Sequence, residues 1–188
     1  MRIAYVITRA DAVGGASIHV RDMARAMLER GHQAQVFVGG EGPVTAQLRA
    51  AGAPFHSLRH LKRNVSPLRD LQAVRELAAA LRQYRPDIVS VHTAKAGWIG
   101  RLAARRLGLP AVYTPHGWPV GDRMPGLAGI LFQNAEAVAS RWAAAIVCVC
   151  EYERKLALRK RLAEAGRLRV IYNGVHDIAP EIGRASCR

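Results

Sequence analysis

The most restrictive feature of this sequence is a regular alternation of short apolar runs with amphipathic helical patterns. Each apolar run is four to seven residues long and rich in β-branched side chains, as in residues 87–92 (DIVSVH). Such runs are typical of strands that are buried on both faces of a parallel sheet. Because parallel strands need crossover connections, the alternation predicts an α/β fold with one Rossmann-like parallel sheet and helices on both faces.

The predicted elements cover most of the chain. The strands are expected at residues 2–8, 34–38, 54–58, 87–92, 111–114, 144–149 and 168–172. The helices are expected at residues 17–30, 44–51, 67–85, 95–107, 127–142 and 151–165. Ser17 is predicted to cap the first helix, and Ser66 is predicted to cap the third, whose apolar positions share a face. Those positions are Leu71, Val74, Ala78 and Leu81.

The length and composition fit one globular domain. Half of the 188 residues are hydrophobic and 22% are charged, which excludes a disordered chain. Residues 181–188 (EIGRASCR) lack periodicity and resemble a translated sequencing adapter, so we expect a domain over residues 1–180 and a non-native tail. No apolar run approaches the roughly 20 residues that span a bilayer, and no signal peptide is recognisable. The expected location is therefore the cytoplasm.

The loops that follow the strands hold the candidate site residues, because ligands of such sheets bind at the carboxyl ends of the strands. These loops contain Gly14-Gly15, residues 92–95, His116-Gly117 and Asn173-Gly174. The glycine pair allows close approach of a phosphate to a helix N-terminus, although a plain turn is an equal alternative. The G-x-G-x-x-G fingerprint and the P-loop are absent, which disfavours a nucleotide-binding oxidoreductase domain.

The two histidines of these loops could act on a sugar. The imidazole of His116 could donate a hydrogen bond to a hydroxyl or stabilise charge near a reacting carbon, and His92 is a weaker candidate of the same kind. The alternative is a loop histidine bonded to nearby backbone. No nucleophilic triad, carboxylate pair or zinc-ligand spacing is recognisable in the sequence.

The order of these motifs resembles glycosyltransferase family 4. The resemblance rests on Gly14-Gly15, on the DIV segment with His92, and on three later segments, and it covers residues 1–180. The first is KAGW (residues 95–98) with GRLAA (100–104), and the second is VYTPHGW (112–118). The third is IVCVCE (146–151) with IYNGV (171–175).

The resemblance implies the N-terminal, acceptor-side domain of a GT-B enzyme, without the C-terminal donor domain. By similarity, Gly14 and Gly15 approach the donor diphosphate, and His116 is the catalytic residue that contacts the transferred sugar or the acceptor. His92, Lys95 and Gly117 would bind the acceptor, and Asn173-Gly174 would lead into the second domain. Family members use a nucleotide-diphosphate sugar without a bound metal or other cofactor and retain the anomeric configuration.

The implied role is hexosyl or N-acetylhexosaminyl transfer in cell-surface polysaccharide or glycolipid biosynthesis. Its acceptor would be a sugar or a lipid-linked sugar. We expect the chain alone to be inactive, because the paired glutamates and the basic pyrophosphate-binding residues of the family belong to the second domain.

The net charge of +14 requires a separate explanation. The excess of Arg over Lys is what a GC-rich genome produces, and the alternatives are an anionic membrane, a phosphorylated substrate or nucleic acid. Residues 59–86 alone carry +5, which would suit peripheral binding to the inner face of the cell membrane. The apolar residues Leu127, Ile130, Leu131 and Phe132 either add to that contact or face the core. A basic nucleic-acid-binding module is disfavoured because 6% of residues are aromatic and no recognition motif is present.

Overall fold

The computed structural model describes residues 1–118 and 126–174, which form a seven-stranded, wholly parallel sheet covered by helices. The strands are β1 (Arg2–Ile7), β2 (Gln33–Gly39), β3 (Phe55–Leu58), β4 (Ile88–His92), β5 (Ala111–Thr114), β6 (Ala145–Cys148) and β7 (Leu168–Val170). The helices are α1 (Gly15–Glu29), α2 (Pro43–Ala50), α3 (Pro67–Tyr84), α4 (Ala94–Arg106), α5 (Gly126–Ser140) and α6 (Glu151–Arg159). The predicted fold class is confirmed. The proposed tail at residues 181–188 lies outside the described residues.

The strand order is β3-β2-β1-β4-β5-β6-β7. The chain therefore adds β2 and β3 on one side of β1 and then adds β4 to β7 on the other side. Side chains alternate along β1, with Ala4 and Val6 in the core beneath α3 and α4, and with Tyr5 and Ile7 in the core beneath α1 and α2. A parallel sheet with such a reversal opens a crevice at the carboxyl ends of the two strands beside it. The ends of β1 and β4 are therefore the expected place for a ligand.

The predicted start of α1 and the predicted end of α6 are wrong. α1 begins at Gly15 and not after Ser17, because the Ser17 hydroxyl lies inside the first turn, accepting from the Gly14 N–H at 2.9 Å and donating to the Gly14 carbonyl at 2.8 Å. α6 ends at Arg159 and does not reach residue 165. A left-handed Arg161 turns the chain there, so that Leu162 is buried in the core.

Two glycines of α4 let the helix lie directly on the sheet. A Cβ atom added at Gly97 would collide with the ring of Tyr113 on β5, and one added at Gly100 would collide with the side chain of Val91 on β4. These glycines belong to the segments on which the family resemblance rests. Their requirement here is steric, since any larger side chain would push α4 away from the strands.

α4 also carries a charge that is fully buried. Arg101 and Glu136 of α5 are both 0% exposed and form an ion pair at 2.8 Å. The Arg101 Nε–H donates to the Gly97 carbonyl at 2.8 Å, and the guanidinium carbon lies 4.1 Å from the ring centroid of Tyr113. These contacts replace the water that the guanidinium loses on burial, and they hold α5 against α4.

We expect Glu136→Gln to lower the free energy of unfolding by about 3 kcal/mol, because Arg101 would remain charged in the interior without an anion. Urea unfolding followed by circular dichroism measures the loss. The control is Glu29→Gln, which breaks the exposed Arg25–Glu29 pair of α1 and should cost less than about 0.5 kcal/mol. Equal losses in the two variants would contradict this account of the buried pair.

Candidate active site

The loops after β1 and β4 are tied together where the two strands end. The hydroxyl oxygens of Thr8 and Thr93 lie 2.9 Å apart, and the Thr8 hydroxyl accepts the Ala96 N–H at 3.0 Å. Thr93 has a φ of 70°, which is unfavourable for a β-branched residue. Its N–H donates to the Thr114 carbonyl at 3.1 Å and its carbonyl accepts from Gly97 at 2.8 Å, so both backbone groups are held in that conformation.

A cleft of about 490 Å³ opens between these two loops. The glycine pair and the start of α1 form one wall, and the start of α4 forms the other. Its polar lining is supplied by Thr8, Arg9, Ser17, Arg63, Thr93 and Lys95. The predicted donor-phosphate residues Gly14 and Gly15 and the predicted acceptor residue Lys95 thus line one cleft.

Neither glycine of the pair is required by the protein's own packing. Gly14 has an extended backbone that any residue adopts, and a Cβ atom added at either position would meet nothing within 4 Å. The absence of side chains at Gly14 and Gly15 therefore leaves open space in the cleft. It also exposes the N–H groups of Gly15 and Ala16 in the first turn of α1, which carry partial positive charge. The N–H groups of Ser17 and Ile18 already donate to the Gly14 carbonyl, each at 3.0 Å.

Three histidines meet beside the cleft. The Nδ1 of His92 lies 3.0 Å from the Nε2 of His116, and the Nε2 of His92 lies 2.9 Å from the Ser90 hydroxyl. The ring of His19, one turn into α1, lies 5.2 Å from that of His116 and 5.7 Å from that of His92. His116 comes from the loop after β5, so three segments distant in sequence build this cluster.

Burial keeps these imidazoles uncharged near neutral pH. Loss of solvation lowers the pKa of His116 to about 4, and the neighbouring His19 acts in the same direction. The pKa of His92, which is 2% exposed, lies well below its ordinary value for the same reason, and the pKa of His19 is lowered by burial as well. A neutral His116 can donate or accept one hydrogen bond through the nitrogen that His92 does not occupy.

The histidine nitrogens also lie within 4.8 Å of one another, a spacing that a transition-metal ion could bridge. His92 and His116, however, are already hydrogen-bonded through nitrogens 3.0 Å apart, so a metal ligated by those nitrogens would have to replace this hydrogen bond. The expected absence of a metal stays a prediction.

The remaining predicted residues have different surroundings. Lys95 is paired with Asp70 of α3 at 2.5 Å and donates to the Asn64 carbonyl at 3.2 Å. Gly117 is exposed, with a φ of 101° that, together with the left-handed His116, turns the chain towards a buried Trp118. Asn173 and Gly174 are exposed and follow β7. The roles assigned to these residues stay predictions.

Several residues of this region were not singled out from the sequence. His19, Ser90, Thr8 and Thr93 lie on predicted elements or at their ends, and no motif distinguishes them. For His19 a signal was available, since a residue four positions after Gly15 lies one turn along the helix on the same face. Ser90 and His92 lie two residues apart on β4, so side-chain alternation alone places them on one face. The contact between Thr8 and Thr93 follows from strand pairing, which a single sequence does not specify.

Comparison with known proteins decides the family. A model described as Glycosyltransferase Family 4 matches residues 13–177. The chain belongs to glycosyltransferase family 4. Two solved structures that resemble it are a glycosyltransferase from Rickettsia africae, at 18% identity and a TM-score of 0.76, and Anabaena HepE in complex with UDP and glucose, at 20% and 0.73. The two matches cover 96% and 93% of this chain. They cover 47% and 45%, respectively, of the chains in the solved structures.

Two curated relatives are similar in sequence. The first is the Escherichia coli UDP-Gal:alpha-D-GlcNAc-diphosphoundecaprenol alpha-1,3-galactosyltransferase, 27% identical over 78% of this chain and 38% of the relative. The second is a UDP-N-acetylglucosamine--N-acetylmuramyl-(pentapeptide) pyrophosphoryl-undecaprenol N-acetylglucosamine transferase from Solidesulfovibrio magneticus, 34% identical over 40% of this chain and 22% of the relative. The chain thus spans less than half the length of each relative, and the resemblance to a glycosyltransferase domain is confirmed.

The low histidine pKa values predict how stability depends on pH. Below pH 6.5 the imidazoles of the unfolded chain take up protons that folded His116 does not bind until about pH 4. The free energy of unfolding should therefore fall as pH decreases through this window, by up to about 1.4 kcal/mol per pH unit for this residue. Urea unfolding between pH 7 and pH 4.5 measures that slope.

The matched variant is His116→Asn, which keeps a hydrogen-bonding side chain without a titrating group. The free energy of unfolding of this variant should change less steeply with pH than that of the unmodified protein, whatever its stability at pH 7. The reason is that all other titrating groups are common to both proteins. Identical slopes would show that His116 titrates normally in the folded protein.

Proposed function

We propose that this domain binds the acceptor of a glycosyltransferase that transfers a sugar from a nucleotide-diphosphate sugar to a lipid-diphosphate-linked acceptor. The observation that carries the proposal is the cleft between the glycine pair and the start of α4, with the neutral His116 beside it and Arg63 and Lys95 in its lining. Both curated relatives are named for undecaprenol-linked acceptors, which supports the same substrate class.

Each part of the cleft suits one part of such substrates. The N-terminus of α1 would attract the phosphate oxygens of the donor, and the missing side chains at Gly14 and Gly15 would allow them to approach the backbone. The cations Arg63 and Lys95 would attract the phosphate oxygens of the acceptor. An uncharged His116 can hydrogen-bond a sugar hydroxyl without repelling a cationic or oxocarbenium-like centre. His92, held by Ser90, fixes the orientation of His116.

The nucleotide of the donor would be bound outside this domain, so the chain alone is expected to bind acceptor without transferring sugar. We further propose transfer with retention of configuration and no metal, as the family resemblance implies. The anomeric configuration of the product, read from NMR coupling constants, checks that part. The product would enter cell-surface polysaccharide or glycolipid biosynthesis.

We also propose that the domain works at the cytoplasmic face of the membrane, bound peripherally. Among the described residues no helix is long and apolar enough to cross a bilayer. The net charge of +14 favours an anionic lipid surface, at about 1 kcal/mol for each basic residue near it. Binding to vesicles that does not depend on their content of anionic lipid would contradict this location.

The proposed function predicts that Gly15→Ala leaves the fold intact and weakens ligand binding. An added Cβ meets open space, and alanine suits the first turn of α1 better than glycine, so the midpoint of thermal unfolding should not fall. Affinity for a short-chain prenyl diphosphate N-acetylglucosamine, measured by isothermal titration, should drop by about tenfold because the added methyl group takes up space that the acceptor's sugar needs in the cleft.

The control is Gly166→Ala, at an exposed glycine away from the cleft where an added Cβ also meets nothing within 4 Å. It should bind as the unmodified domain does. The same titration with NAD and with duplex DNA separates the rival functions. Binding of either, without binding of the diphosphate sugar, would overturn the proposal.

A further inference from the structure

A second cavity, which we call the apolar groove, adjoins the cleft. It measures about 550 Å³, runs between α3, α4 and α5, and shares Arg63, Ala94 and Lys95 with the cleft. The two cavities are therefore neighbours that share one wall at the start of α4. Its apolar lining consists of Val65, Leu71, Val74, Trp98, Ile99, Leu102 and Phe132.

The groove exists because the apolar face of α3 is wider than the surface that covers it. Leu71 belongs to the predicted buried stripe, yet it is 38% exposed, whereas Val74, Ala78 and Leu81 of that stripe are buried. Trp98, Leu102 and Phe132 are partly buried and form the opposite wall. An apolar channel of this size, left open by residues 1–118 and 126–174, is typical of a ligand or partner site.

Charge is confined to one end of the groove. Its charged lining residues are Arg63, Lys95 and Asp70, and two of them also face the cleft. Lys95 is held at this junction by Asp70, at 2.5 Å, and Arg63 is exposed there. A ligand that fits both cavities would place an anionic group at the junction, a polar group in the cleft and an apolar tail in the groove.

We propose that the apolar groove binds the hydrocarbon chain of the lipid-diphosphate acceptor, with the diphosphate at the junction beside Arg63 and Lys95. This inference rests on the proposed function, which assigns the sugar of the same acceptor to the cleft. A small polar ligand is disfavoured because the groove away from the junction offers no charged side chain to orient it.

The outer margin of the groove suits a lipid chain that continues into a bilayer. Val65 and Leu68, before and within the first turn of α3, are 83% and 80% exposed, and Leu131, beside Phe132 on α5, is 60% exposed. Leu127 and Ile130 of α5 are exposed as well, so among these apolar α5 residues Phe132 alone packs against the core. Val65 thus gives the groove an exposed apolar side chain, and the other residues add exposed apolar surface on α3 and α5, the helices that form its walls.

The test compares two diphosphate N-acetylglucosamine ligands that differ only in the length of the isoprenoid chain. The longer chain should bind the unmodified domain about tenfold more tightly or better, since each methylene buried adds to affinity. In the variants Leu71→Gln and Val65→Gln the gain should shrink severalfold, while affinity for the short-chain ligand stays unchanged. The control, Val138→Gln, alters an exposed apolar residue of α5 that does not line the groove and should keep the full gain.

The outcomes separate this inference from the function on which it rests. If the short-chain ligand binds but chain length has no effect, the groove proposal is overturned and the proposed function stands. If neither ligand binds, both are overturned. If Leu71→Gln weakens binding to phospholipid vesicles that contain no acceptor, and the length of the isoprenoid chain still has no effect, the groove is a membrane-contact surface and not a site for that chain.

Discussion

The hydrogen-bonded register of β1 between β2 and β4 is the constraint on which the rest of this domain depends. Ile7 pairs with Val38 on one side and with His92 on the other, so the two loops that follow β1 and β4 leave the sheet at the same level. The contact between Thr8 and Thr93 is one step beyond that pair. A shift of register by one residue would reverse the faces of the strand and separate these loops.

The domain handles buried polar side chains in two opposite ways. Arg101 stays charged because Glu136, a carbonyl and aromatic faces replace its water. Within the described part of the chain, Asp22 acts on the pKa of His19 alone, and burial keeps His92 and His116 neutral. One arrangement fixes helix packing, and the other sets the chemical state of the side chain predicted to meet the sugar.

Periodicity predicted the seven strands and six α-helices of residues 1–118 and 126–174, because an apolar run and a helical stripe are properties of neighbouring residues. It failed where distant contacts decide the local structure, as at the end of α6, where Leu162 turns inward to the core. The site was predicted in outline, through Gly14, Gly15, Lys95 and His116, because these residues follow strands. Its supporting contacts were not, since they join segments that only strand pairing brings together.

The sequence by itself determined the fold class, the family resemblance and the sheet edge where a ligand is expected, because local patterns of apolar residues, glycines and histidines encode them. The tertiary structure alone decided three further properties: the neutral state of the histidine cluster, the pairing of Lys95 with Asp70, and the uncovered groove beside the cleft. Charge state and cavity shape depend on which side chains surround a point in space. That neighbourhood arises only when the strands have paired and the helices have packed.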